Sequence, residues 1–198
     1  MRVDVDQIQA ALCSDLGQSS DFDLNLAIEM TQFRDLRPAA VLIGLWDKPE
    51  GAQIILTKRA SHLQHHPGQI AFPGGKVDGS DATLESTALR EAQEEIGLSS
   101  EKVQILGRLP CHETVTGFQI TPILGLVRND FSPILQVAEV ADVFSVPFRH
   151  VLNAANYRVE RRQWRGEWRH FYAVPYGPYY IWGATARILR GLAERMAL

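Results

Sequence analysis

Three things are scarce in this chain, and each scarcity closes off a class of protein. Cysteine occurs only at Cys13 and Cys111, far apart and without a CxxC pair. That argues against a disulfide framework or a cysteine zinc site and for reduced thiols in a cytosolic protein. Surplus positive charge is missing: a net charge of -3 offers no basic field to gather nucleic acid as a bulk polyanion. Long apolar runs are missing too, since nothing approaches the roughly 18 uninterrupted apolar residues of a membrane span. Met1 to Gln18 intersperses Asp and Gln among its apolar residues, which is neither a signal peptide nor a targeting helix. A hydrophobic content of 45% over 198 residues suits the core of one globular domain.

Periodicity divides the chain into elements. Residues 4–13 and 22–33 are expected as helices, with Ile8 and Leu12 on one stripe and Leu24, Ala27 and Ile28 on the other. Pro38 opens an apolar run, Ala39 to Trp46, that predicts a buried strand. A turn at Asp47-Lys48-Pro49-Glu50-Gly51 returns it through Gln53 to Lys58 as a hairpin. Residues 59–71 are polar and His-rich, a loop or short edge segment. Asp81 is the expected N-cap of a helix from Ala82 to Ile96, and Gly97 its stop. Strands are expected near 102–109, 119–127, 142–147, 156–164 and 168–174. Ile181 to Met196 closes the chain as a helix striped by Ala184, Ile188, Leu192 and Met196. Strands flanking one central helix, with helices at both ends, favour a mixed sheet between helices over a repeated βαβ unit.

The chemistry concentrates in Arg90-Glu91-Ala92-Gln93-Glu94-Glu95-Ile96-Gly97-Leu98, reached through Phe72-Pro73-Gly74-Gly75. Glu91, Glu94 and Glu95 fall on one side of a helix, where like charges repel. A divalent cation turns that repulsion into chelation, because Mg²⁺ and Mn²⁺ prefer hard oxygen ligands. Taken alone, Glu-x-x-Glu-Glu is usually a solvated face. Its neighbours alter that reading: Arg90 can orient a carboxylate, Ala88, Leu89, Ala92 and Ile96 anchor the helix, and Gly74-Gly75 permit close backbone approach.

These residues resemble the second half of the Nudix box, matched here in full from Arg90 to Leu98. The first half departs from the pattern. Counted forward from Gly75, its outer Glu falls on Asp81; counted back from Arg90, it falls on Ala82; Glu85 fits neither count fully. The loop is therefore one residue longer than the general box. Ile55-Leu56-Thr57-Lys58-Arg59, then Gly68, then Phe72-Pro73-Gly74-Gly75, is similar to the signature of the coenzyme A diphosphatase branch, with spacing intact. Ile55, Ala60 and Gln64 depart from that signature's Leu, Ser and Arg. Gln64 keeps hydrogen bonding but loses a charge that could pair with phosphate. Thr116-Gly117-Phe118, Glu139-Val140 and Ile181-Trp182-Gly183 also look like this branch.

The resemblance implies a Nudix α/β/α sandwich with a central mixed β-sheet and a catalytic loop-helix-loop. The resemblance spans about Pro38 to Arg190; with the composition and helical periodicity it leads us to expect one domain over 1–198, with 1–36 a helical N-terminal extension and 37–198 the core and C-terminal helix. The implied activity is metal-dependent hydrolysis of the diphosphate of coenzyme A or acyl-coenzyme A, to 3′-phosphoadenosine 5′-phosphate and an (acyl-)4′-phosphopantetheine. Glu91, Glu94 and Glu95 are the expected ligands of Mg²⁺ or Mn²⁺; Glu94, Arg90 and Glu139 are the expected catalytic group, with Arg90 positioning a carboxylate. Arg59, Gln64, Gly68, Phe72, Gly74 and Gly75 are expected to bind substrate. The partner is a small molecule, with no nucleic acid and no membrane, in the cytoplasm; a homodimer is left open. Three rivals stand: the same chemistry on ADP-ribose or a dinucleotide, a non-catalytic nucleotide-binding module, and an RNA-processing enzyme that uses the Arg/Trp stretch, against which the acidic net charge argues.

Other polar residues admit more than one use. His62, His65 and His66 suit substrate contact or a solvated loop better than a transition metal, since no carboxylate or Cys partner is nearby. His112, Glu113 and Thr114 could line the pocket. The basic stretch from Arg158 to Arg169, interrupted by Trp164 and Trp168, could grip single-stranded nucleic acid or the 3′-phosphate and adenine of coenzyme A. It reads equally well as a plain hairpin turning at Arg165-Gly166.

Overall fold

The computed structural model describes residues 4–25, 35–128, 131–164 and 166–197. In chain order the helices are α1 (Val5–Leu12), α2 (Leu84–Ile96), α3 (Phe148–Leu152) and α4 (Ala184–Met196). The strands are β1 (Ser19–Ser20), β2 (Arg37–Lys48), β3 (Gly51–Arg59), β4 (Ile70–Ala71), β5 (Gly74–Lys76), β6 (Val103–Arg108), β7 (His112–Glu113), β8 (Phe118–Val127), β9 (Val140–Pro147), β10 (Arg158–Trp164) and β11 (Glu167–Ala173).

The first nine strands form one mixed sheet. At its centre β2 runs parallel to β8, from Arg37 opposite Phe118 to Trp46 opposite Val127. The expected hairpin of β2 and β3 is present, and β9 pairs antiparallel on the far side of β3. Alternation along the central strands sends side chains to two cores. Leu42 and Ile55 pack with Ala88, Ala92 and Ile96 beneath α2. Ile43, Leu45, Ile54 and Leu56 meet Ile8, Val151, Leu189 and Leu192 from the other three helices. Period-two strands between apolar helix stripes thus make a three-layer α/β/α sandwich.

The segment before β2 is tied down by polar contacts. Arg195, only 5% exposed, donates to the carbonyls of Ser14, Leu16 and Gly17 and to the Ser14 hydroxyl. Burial lowers its pKa, against the opposing charge of Glu194. β1 runs parallel to β7, and the buried His112 ring bridges the Ser19 hydroxyl (2.9 Å) and the Asp21 carboxylate (3.2 Å). His112, expected to line the pocket, instead fastens this segment to the sheet. Of the helix expected over 22–33, residues 21–24 form a turn, and most of the remainder lies outside the described residues.

Two helix starts differ from expectation. Thr83, not Asp81, caps α2: its hydroxyl accepts from the Ser86 N–H while the Ser86 hydroxyl accepts from the Thr83 N–H. Asp81 is drawn away by a stronger partner, Arg90. α4 begins at Ala184 because residues 181–183 are held by β11: Trp182 bridges Ala173 and the Gly183 N–H donates to the Tyr172 carbonyl. Gly97 ends α2 as expected, in the left-handed conformation at φ 72°. β10 and β11 form the hairpin read from the basic stretch, with Arg161 lying 4.8 Å over the exposed Trp168 ring.

Candidate functional site

The site is built where α2 passes the Gly74-Gly75 loop. β5 pairs with β2 through Gly74 opposite Val41 and Gly75 opposite Ala40, so this loop is part of the sheet. No side chain fits there. A Cβ on Gly74 would stand 2.5 Å from the Ala40 carbonyl oxygen and 2.6 Å from the Val41 Cα, backbone that cannot yield. A Cβ on Gly75 would enter the Glu91 carboxylate itself. The two glycines therefore do different work: the first lets the sheet close, the second leaves room for Glu91. Gly74→Ala should lower stability by about 1–3 kcal/mol, the usual range for overpacking. Gly75→Ala should leave the melting temperature nearer wild type yet weaken divalent-cation affinity, because Glu91 is a movable side chain. Parallel thermal melts and metal titrations separate the two; equal effects in both would mean Gly75 has no special relation to Glu91.

The three glutamates occupy unlike surroundings. Glu95 is 5% exposed, and one carboxylate oxygen accepts from the Gly74 N–H at 3.3 Å. Burial, reinforced by the charge of Glu91, pushes its carboxyl up to about 8; the Gly74 bond and the nearby Arg59 oppose this. Glu91 is half-buried, and burial raises its pKa despite the hydrogen bond from Arg90. Glu94 projects outward, its side chain 59% exposed and bonded to Arg90 at 3.2 Å. Glu139, the exposed end of the loop before β9, contributes to raising the pKa of both Glu91 and Glu95, so its charge lies close to theirs.

Arg90 is the hub of this arrangement. Its Nε and Nη2 donate to the two Asp81 carboxylate oxygens, each at 3.0 Å, a bidentate fork. The other terminal nitrogen reaches Glu91 at 2.9 Å and Glu94 at 3.2 Å, and Nη2 also donates to the Lys76 carbonyl. Asp81 further accepts from the Thr87 hydroxyl and the Asp78 N–H, both at 2.9 Å. The guanidinium holds the Asp81 carboxyl far below the usual carboxylate range. The count forward from Gly75 is thus the one the fold obeys: Asp81 closes the ring with Arg90. Glu85 turns to Arg108 instead, with the Arg108 Nη2 donating to its Oε2 at 2.7 Å.

The remaining sequence candidates lie around the end of β3. Arg59 is half-buried, and its Nε is buried with no hydrogen-bond partner among the described residues. Its charge acts on both Glu95 and His66. His66 holds φ at 54°, and burial lowers its pKa. Gln64 is exposed; Phe72 is buried in the core and braces the glycine loop. The Gly68 N–H donates to the Arg59 carbonyl, closing the 59–68 loop. The three histidines do not converge: His62 bonds the Ala138 carbonyl. Among the described residues no three acidic, His or Cys side chains stand as a ready ligand set.

The donor chemistry nevertheless fits a divalent cation. Two neighbouring carboxylates whose pKa is raised by burial, beside a loop whose Gly75 leaves room for the Glu91 carboxylate, form a site that positive charge would stabilise. Sequence reasoning missed Lys76, which acts through its carbonyl, and the main-chain roles of Gly74 (N–H) and Glu95 (carbonyl, accepting from the Gln136 N–H at 3.0 Å). No side-chain pattern signals them.

A sandwich that mounts clustered carboxylates on a helix behind a Gly-Gly loop is the architecture of the Nudix class, and the NUDIX domain family matches residues 35–171. The chain belongs to the Nudix hydrolase family, whose members cleave phosphorus-containing anhydrides, in general with a divalent cation such as Mg²⁺ or Mn²⁺. It is 42% identical over 187 residues to the uncharacterized Nudix hydrolase NudL of Enterobacter sp. (strain 638), covering 89% of this chain and 97% of that one. It is 43% identical over 157 residues to the protein so described from Cronobacter sakazakii (strain ATCC BAA-894), covering 79% and 81%. Among solved structures it is similar to a Nudix hydrolase from M. smegmatis, RenU, at TM-score 0.49 and 23% identity, over 58% of this chain and 73% of that one. No helix among the described residues is long and apolar enough to cross a membrane.

Proposed function

We propose that this Nudix hydrolase cleaves the diphosphate of coenzyme A or acyl-coenzyme A, releasing 3′-phosphoadenosine 5′-phosphate and (acyl-)4′-phosphopantetheine. The observation that carries the reading is Arg59. It ends β3 at the spacing of the coenzyme A diphosphatase signature, beside Glu95, with a buried Nε that has no hydrogen-bond partner among the described residues. Such a donor is costly to leave unsatisfied, and a phosphate oxygen satisfies it. The unit that acts is one domain over 1–198, with 1–36 as an N-terminal extension and 37–198 as the core.

In this reading Glu91 and Glu95, with Glu94 as third ligand, would hold Mg²⁺ or Mn²⁺, which would neutralise diphosphate charge and supply Lewis acidity at the phosphorus. Arg90 keeps Glu91 and Glu94 in position and bears on the reaction only through them. Glu94 and Glu139 are the carboxylates exposed enough to take the proton of the attacking water. Arg59 orients one phosphate, while Gly74, Gly75, Gly68 and Phe72 shape the backbone against which the diphosphate lies. The active form is cytoplasmic, and its partner is the small-molecule substrate.

Gln64 favours a second reading, hydrolysis of ADP-ribose or a dinucleotide, because an exposed Gln stands where the signature has a phosphate-pairing Arg. The deciding experiment incubates the protein with coenzyme A, ADP-ribose or a dinucleotide and Mg²⁺ or Mn²⁺, and resolves the products by mass. 3′-Phosphoadenosine 5′-phosphate from coenzyme A upholds the first reading; cleavage only of the others upholds the second; cleavage of none points to a binding module. Gln64→Arg should lower KM for coenzyme A roughly tenfold, the worth of one charge-assisted hydrogen bond. An unchanged KM would place position 64 outside the site.

A further inference from the structure

The loop that carries Glu139 has an apolar surface that the reaction as described does not use. Ile134 is 74% exposed and Val137 73%, whereas no other large hydrophobic among the described residues exceeds the 55% of Val159. The two most exposed apolar side chains thus sit three residues apart, and Val137 is two residues from Glu139.

The backbone beneath them is held on both sides of the site. On the α2 side, the Ile134 N–H donates to the Ile96 carbonyl at 2.9 Å and the Gln136 N–H to the Glu95 carbonyl at 3.0 Å. On the β3 side, the Ala60 N–H donates to the Glu139 carbonyl at 2.8 Å, and His62 Nε2 bonds the Ala138 carbonyl at 3.0 Å. The loop also closes on itself, with the Glu139 and Val140 N–H groups both bonded to the Gln136 carbonyl at 2.9 Å. A free apolar loop would fold its side chains inward to shed water. This one spends its backbone bonds bridging the glutamate helix and the Arg59 loop, and so presents Ile134 and Val137 outward at the rim of the diphosphate site.

The position fits one end of an extended substrate. Ile134 packs at Gly97, with its Cβ 3.0 Å from where a Gly97 Cβ would stand. Gly97 lies six residues past Glu91, about 9 Å along the helix axis. An extended arm of two amide units, such as pantetheine, spans roughly 10 Å or more, long enough to bring a group at its far end from the diphosphate site to this loop. We infer that Ile134 and Val137 seat the acyl chain of an acyl-coenzyme A, so that the enzyme prefers acylated over free coenzyme A. The inference rests on the coenzyme A reading above and adds to it the class of derivative and the residues that select it.

The test compares steady-state hydrolysis of octanoyl-coenzyme A and free coenzyme A by the full chain, the Ile134→Ser/Val137→Ser double variant and a Val159→Ser control. Both patch residues are solvent-exposed, so folding survives. The wild type should show a lower KM for octanoyl-coenzyme A. The double variant should reduce that preference roughly five- to tenfold, since each CH₂ withdrawn from water contributes severalfold in affinity, and the control should retain it. Equal KM values in the wild type, or a preference that survives the double variant, overturn the inference while coenzyme A cleavage keeps the parent reading intact. If neither compound is cleaved, the coenzyme A reading fails and this one with it. Sedimentation of the protein with phosphatidylcholine vesicles, or a dimer, that the double variant abolishes would assign the patch to a membrane or to a second copy, and would likewise overturn it.

Discussion

Glu95→Gln should lower metal-supported turnover by about 10²–10³-fold, the usual effect of deleting one charge-stabilising group from a reaction centre. The same substitution should stabilise the metal-free protein at alkaline pH. Burial, then the charge of Glu91, raises the Glu95 carboxyl from 4.5 to about 8. The folded protein therefore keeps a proton that the unfolded chain gives up, and stability falls as pH rises between those two values, levelling off above about 8. The full decline amounts to roughly 3–5 kcal/mol. Gln carries no such charge, so melts of the variant in chelator should be flatter across that window, with a higher melting temperature at pH 8 to 9. Divalent cation added at that pH should raise the wild-type melting temperature more than that of the variant. Near-normal turnover would reject Glu95 as a ligand. Parallel melting curves would reject its burial as a cost.

Arg90→Ala should reduce kcat/KM by about 10–100-fold at limiting metal, the range seen when a group orienting metal ligands is lost. Arg90 meets Asp81, Glu91, Glu94 and the Lys76 carbonyl at once. Without it, Glu91 and Glu94 repel each other unrestrained, and the Asp81 side chain, 4% exposed, loses its counterion. The melting temperature should fall as well. Arg90→Lys should recover only a minor part of the activity, because an ammonium cannot make the planar fork to Asp81 while still reaching two glutamates. If Arg90 acts through its neighbours, the metal concentration needed for half-maximal rate rises, and saturating metal restores much of kcat. A loss of kcat that metal does not relieve would mean the guanidinium contacts the reacting phosphate.

Much of the fold was legible because it follows from local periods. The β2–β3 hairpin, the apolar stripe of α2 that buries Ala88, Ala92 and Ile96, and the stop at Gly97 all appear where alternation, helical spacing and glycine place them. Legibility failed where two local signals competed. Asp81 is a good N-cap in isolation, but a bidentate bond to Arg90 outweighs a cap, and Thr83 with Ser86 takes that place. His112 looked like a pocket residue beside a strand; the return of the N-terminal segment to Ser19 and Asp21 buries it.

The sequence alone determined the family and the grouping of Glu91, Glu94 and Glu95, because spacing on a helix is set by its 3.6-residue turn and needs no distant partner. Only the tertiary structure decided which acid closes the ring with Arg90, why Glu95 is pushed to about 8 while Glu94 projects into solvent, and that an apolar loop is held beside them. Each of these depends on burial and on contacts between segments far apart in the chain, and burial is a property of the packed whole that no window of sequence contains.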